Sequence, residues 1–265
     1  MLSKLLKYEM KATSRIFLPM FGILILVAII NRVIAILSPS QTQAPNVISM
    51  ILYVLILVGM FVVTMVVIIQ RFYKSLLSDE GYLMFTLPVT PAMHIVTKLL
   101  VSILWIITST LTAFLSVIII ASEELFKPNV INEIILSVNQ LLRMDGAKML
   151  VFEVLLASLI GTITSILMIY AAMSVGHLAN DHKILASLGA YVGLYTIAQT
   201  IMTLFLLIPM FADQLNYMNP KMGEFGDIIP VMHGVMWFAI LSSLVFSVGY
   251  FILSNIILTK KLNLE

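Results

Sequence analysis

The sequence predicts an all-α, polytopic membrane protein with six transmembrane helices and both termini in the cytoplasm. Three observations carry this. The 265 residues are 61% hydrophobic and only 11% charged, far from the balance of a water-soluble domain. Six apolar runs reach the roughly 20 residues that a helix needs to cross the hydrocarbon. Lysine and arginine divide unevenly between the loops, which sets orientation. A net charge of +2 gives no nucleic-acid footprint. With no cysteine there is no disulfide, thiolate metal site or cysteine nucleophile. No cleavable signal is expected, because the first long apolar run follows a charged stretch and lacks a small-residue cleavage site.

The six runs are Ile16 to Leu37, Val47 to Ile69, Leu99 to Ala121, Leu150 to Met173, Leu185 to Phe211 and Val231 to Leu258. With the N-terminus inside, the inner segments hold Lys4, Lys7, Lys11, Arg15, Arg71, Lys74, Lys98, Lys183, Lys260 and Lys261. The outer segments hold only Arg32, Lys127, Arg143, Lys148 and Lys221. Ten against five is the asymmetry expected of a cytoplasmic N-terminus. The whole chain, 1–265, reads as one membrane domain, without repeats, low-complexity tracts or a linker to a soluble domain.

Residues 1–17 precede the first run. Lys4, Lys7, Lys11 and Arg15 recur every three or four residues and form a basic stripe, which fits an interfacial helix on the inner leaflet. A plain positive anchor explains the same stripe. The second run ends at Gln70, and its helix continues to about Leu77. Ser78 to Gly81 break it, and Tyr82 to Thr86 have room for one helical turn. Asp79 and Glu80 suit the start of that turn, and Leu87-Pro88 ends it. Thr90 is the expected N-cap of the third helix, with Pro91 at its first position. Segment 70–98 thus reads as an elbow, a short cytoplasmic helix along the membrane and an elbow back.

The outer segment 122–147 is long for a connection. In it Val130, Ile131, Ile134, Ile135, Val138, Leu141 and Leu142 recur at helical spacing between polar residues. This predicts an amphipathic helix lying on the outer leaflet or capping the bundle. The outer loop 212–230 has turn chemistry and enough residues for a short re-entrant or interfacial helix. The sixth run exceeds the hydrocarbon thickness, so it tilts or extends into the cytoplasm.

Glu80-Gly81, Leu87-Pro88-Val89 and Lys98-Leu99-Leu100 resemble, in order and spacing, an element of type-2 permease subunits of ATP-binding-cassette exporters. The six-helix layout, the N-terminal amphipathic helix and the outer segment before the last helix are similar too. Tyr82 stands where threonine is more usual. The chain looks most like the small permeases of Gram-positive bacteria that export, or give immunity to, amphipathic peptides such as phenol-soluble modulins. The resemblance implies that the loop is a coupling helix seated on a separate cytoplasmic ATPase, which binds the ATP and Mg. It implies two permeases, expected to be identical, and two ATPases in a bacterial plasma membrane. The coupling residues it implies are Asp79, Glu80, Gly81, Tyr82, Phe85, Leu87, Pro88 and Lys98.

Other features have two readings. Tyr82, Leu83, Phe85 and Leu87 form an apolar patch rimmed by charge, which meets either a protein partner or the inner leaflet. Gly189 and Gly193 form a small-residue pair that packs within the chain or at a homodimer interface. His94 faces the partner or lipid headgroups, and His177 and His182 are too far apart in sequence for one helix face. Trp105 and Trp237 read as packing residues. Arg32 and Glu153 lie towards outer helix ends, from which they are expected to snorkel. That leaves the spans without ionisable groups, which argues against an ion-driven carrier and against an intramembrane hydrolase.

No P-loop G-x-x-x-x-G-K-[ST] occurs. The expected function is therefore a transport subunit with no enzyme activity or cofactor of its own, exporting amphipathic or hydrophobic cargo such as toxin peptides. The alternatives are a non-transport immunity or sensor protein, and an ion-coupled secondary transporter.

Overall fold

A buried stripe of one residue in seven organises each of the main packing helices. The computed structural model describes residues 2–37, 44–78, 89–143, 146–179, 181–216 and 228–260. All regular structure among them is helical. In chain order the helices are α1 (Leu2–Leu37), α2 (Ala44–Phe72), α3 (Pro91–Ile120), α4 (Ser122–Leu125), α5 (Pro128–Arg143), α6 (Ala147–Gly176), α7 (Lys183–Asn216) and α8 (Ile228–Lys260). A wider π turn, Tyr73–Leu77, ends α2. Six helices (α1, α2, α3, α6, α7 and α8) are long and apolar enough to cross a membrane. The chain is therefore an all-helical, multi-pass membrane protein.

Residues 1–17 are not a separate element. Leu2–Leu37 is one helix, and Pro19 lies inside it without ending it. At 1.5 Å per residue it rises ~54 Å against ~30 Å of hydrocarbon, so roughly sixteen residues project beyond. Lys4, Lys7, Lys11 and Arg15 are all exposed on the projecting part. The second helix does reach Leu77, through the π turn. The third begins at Pro91, where the Thr90 carbonyl accepts from the Met93 and His94 amides at 3.0 and 3.4 Å. The amphipathic helix is present as α5, and none of its residues is buried. Of 212–230, only the ends are described, as the last turns of α7 and the first of α8.

The chain divides into two compact units. The first comprises residues 1–72 and 96–140. Its stripes are Phe17, Leu24 and Asn31 on α1, Tyr53, Met60 and Val67 on α2, and Ser102, Ser109 and Ser116 on α3, all buried. Heptad spacing keeps one face of a helix turned to its neighbour over a long contact. Lipid tails are as apolar as leucine, so close packing and interhelical hydrogen bonds hold such helices together, not apolar burial. The buried serines fit this. Tyr53 and Ser116 hydroxyls lie 2.8 Å apart, and those of Thr64 and Ser109 3.2 Å. Partner numbers rise on α2 as they fall on α3, so these two helices run antiparallel.

The second unit comprises residues 73–95 and 141–265. On α6, Glu153, Ile160, Leu167 and Ser174 are buried; on α8, Ile240, Ser247 and Ser254. His233 opens the α8 stripe, paired to Glu153 at a separation of 80 residues. Every further step of seven along both helices preserves that separation, so α6 and α8 run parallel in a fixed register. Thr164 on α6 also donates to the Ser243 carbonyl at 3.0 Å.

At its other end α6 meets α7 through Gly176. A Cβ on Gly176 would run into the backbone of Ser187. Along 183–205, α7 buries no residue. Among the described residues, Gly189 and Gly193 have nothing within 4 Å of a Cβ placed on them.

Gly176→Ala is expected to destabilise the second unit by about 3 kcal/mol, because the backbone there has no room to give. Gly189→Ala is expected to be neutral or mildly stabilising. Thermal unfolding of both variants in the same detergent tests the contrast.

Candidate functional site

Asp79, Glu80, Gly81, Tyr82, Phe85, Leu87 and Pro88 lie outside the described residues. Their two stems are described, and both belong to the second unit. On the entering side, Ser75, Leu76 and Leu77 of the π turn are buried. The Tyr73 ring meets His177, just beyond α6, edge to face with centroids 6.5 Å apart. On the leaving side, His94 and Ile95 are buried in the first turn of α3. His94 thus faces neither a partner surface nor headgroups. A π turn widens the helix by one residue per turn, and such turns recur at functional sites.

Lys98 is one turn further along α3, in the first unit. Its side chain is 5% exposed, and Nζ lies 3.2 Å from Glu9 Oε1 on α1. The pair starts a clasp that runs up both helices. Trp105 Nε1 donates to Thr13 Oγ1 at 2.7 Å. The indole stacks on Phe17 with centroids 4.4 Å apart and an interplanar angle of 11°. Trp105 is the packing residue that its position predicts. Glu9 is new: in the sequence it is one carboxylate among lysines, and only the fold brings it to Lys98 across 89 residues.

Arg32 reaches outward to an exposed partner, but the expectation that Glu153 snorkels is not met. Arg32 Nη1 bonds Glu123 Oε2 at 2.8 Å, on the short helix α4. Glu153 is fully buried, with Oε2 2.7 Å from His233 Nδ1. Lysine and arginine snorkel on long stems; a glutamate stem is shorter and finds its partner sideways. The span α6 therefore does hold a buried ionisable group, and its absence no longer argues against ion coupling. Among the described residues, no three His, Cys, Asp or Glu side chains are grouped to hold a metal ion.

No protein-family model, curated protein or solved structure matches the chain. The functional reading therefore rests on the chain's own chemistry.

Two predictions follow from these pairs. Removing one partner of a buried ion pair strands the other charge. Lys98→Met strands the Glu9 carboxylate and is thus expected to cost about 3 kcal/mol, near the lower end for buried pairs, and to cost less when combined with Glu9→Gln. A double-variant cycle of unfolding free energies measures this.

At the other end of α1, the hydrogen bond and charge of Arg32 hold the Glu123 carboxyl below its ordinary value of 4.5. The folded value is the lower one. The pair's contribution is therefore complete above pH 4.5 and is lost as pH falls through the folded value. An NMR titration of Glu123 is expected to show a lowered midpoint that returns to the ordinary value in Arg32→Gln.

Proposed function

We propose that the chain is the membrane-spanning permease subunit of an ATP-driven exporter. A separate cytoplasmic ATPase, with its ATP and Mg, grips residues 79–88. The observation that carries this reading is the division of the chain around that segment. Helices α2 and α3 belong to the first unit up to Phe72 and from Val96, but the stems between them belong to the second. A push on residues 79–88 is therefore delivered to both units through continuous helix. Buried Leu76, Leu77, His94 and Ile95 make the stems firm enough to carry it. Tyr82, Phe85 and Leu87 supply the apolar contact to the ATPase, with Asp79 and Glu80 pairing to basic groups beside it.

Lys98 acts from behind the segment. Through Glu9 it ties the start of α3 to α1, so that α1 follows α3 when the segment moves. Two copies of the chain form the pathway. The open glycine face of α7, at Gly189 and Gly193, supports close approach of a second copy. Cargo is amphipathic or hydrophobic peptide, since the described spans turn apolar side chains outward along most of their length. Alternation between inward-open and outward-open states requires the ATPase to bind the two states differently.

The Tyr82→Ala/Phe85→Ala double variant tests the reading, with the permease co-expressed with its candidate ATPase. Two aromatic anchors at about 2 kcal/mol each predict loss of co-purification, and a fall of at least about tenfold in permease-dependent ATP hydrolysis. Unchanged association and hydrolysis in a folded variant would reject the coupling role. Cargo movement in ATP-free vesicles under an ion gradient alone would reject ATP as the energy source.

A further inference from the structure

The first layer of the α6–α8 stripe differs from those after it. Ile160 and Ile240, Leu167 and Ser247, and Ser174 and Ser254 are apolar residues and small hydroxyls. Glu153 and His233 are both ionisable, and they lie at the start of two membrane spans. Glu153 Oε2 is 2.7 Å from His233 Nδ1, a separation in the range of charge-assisted hydrogen bonds. Glu153 Oε1 is buried with no hydrogen-bond partner. An ionised carboxylate offers about four acceptor positions, and this one uses a single oxygen.

A buried polar pair in a heptad stripe can serve only to fix register. An amide would do that without a bare carboxylate oxygen. What glutamate and histidine offer beyond an amide is an exchangeable proton. Histidine is the side chain suited to change charge near neutral pH. An ionisable group enclosed in a membrane span marks a proton or ion path by default.

We propose that Glu153 and His233 form a proton-binding site. One proton is shared between Oε2 and Nδ1, and the pair is neutral whether it sits on the ring or on the carboxyl. The free Oε1 takes the incoming proton, forming an O–H bond and leaving a neutral acid beside imidazolium. Loss of the shared proton leaves a carboxylate beside a neutral ring. Either change puts a net charge between α6 and α8, so protonation of one group is felt directly by the other. Lys148, on the first turn of α6, is exposed. The only ion pair Glu153 makes among the described residues is the one with His233. The site does not depend on the ATPase reading.

The test uses the full chain in lipid nanodiscs, with no ATPase and no cargo. Infrared difference spectroscopy follows the protonated carboxyl while pH is lowered, and 15N NMR follows the labelled histidine rings. Circular dichroism limits both to the pH range of constant helix content. The expected result is a desolvated carboxyl band that grows with acid and shares its midpoint with one imidazole signal. That band is lost in Glu153→Gln, and its midpoint moves in His233→Gln. Absence of the band, or a midpoint matched by no imidazole signal, would overturn the proposal and leave the pair as a fixed register pin. These deciding readouts come from the wild-type chain, so a variant that fails to fold does not remove the test. Because no ATPase is present, the result is also separate from whether one grips residues 79–88.

Discussion

Lipid offers no hydrogen-bond partner, so a polar side chain inside this bundle must find its own. That constraint explains most of the specific contacts in the molecule. Tyr53 finds Ser116, Thr64 finds Ser109 and Glu153 finds His233. Each joins two different helices. Apolar contacts cannot select one neighbour over another when the surrounding tails are equally apolar. The polar pairs can, because a helix rotated or slid by one residue loses them. They decide which helix faces which, and the heptad stripes then let the backbones come close.

The two units apply the constraint differently. In the first, polar links are spread along the full length of three helices. The α1–α3 clasp combines an ion pair, an indole hydrogen bond and an aromatic stack within two turns. In the second, α6 and α8 are held by stripes of matched register, while α7 attaches through the bare backbone at Gly176. Along 183–205 that helix has half-buried residues on one side and exposed apolar ones on the other, and the exposed side is left for lipid or for another chain. The first unit resembles a tied bundle, and the second a pair with a lodger.

The spans themselves were legible in the sequence, because twenty apolar residues have few other uses. Local chemistry was legible too: Thr90-Pro91 starts α3, and the second helix runs on to Leu77. The pairings were not. In a soluble helix, polar residues mark the outside and reveal the buried face. In a membrane both faces are apolar, so the usual amphipathic signal is missing. The available signal was the spacing of polar and small residues by seven. Ser102, Ser109 and Ser116 show it on α3, and His233, Ser247 and Ser254 on α8. Glu153 was misplaced because closeness to a helix end was weighed without side-chain length. Its partner lies 80 residues away, and no local rule reaches that far.

The first unit is interrupted in sequence: residues 73–95 lie between its two parts but belong to the second. A chain leaves the ribosome from its N-terminus, and its parts fold as they emerge. Helices α1 to α3 are therefore complete while the rest of the second unit, from Leu141 on, has not yet been made. The stem residues Leu76, Leu77, His94 and Ile95, buried in the finished fold, are made before the greater part of the unit to which they belong. Synthesis thus passes through a stage at which this part of the chain is available to chaperones, to proteases or to an early-arriving partner.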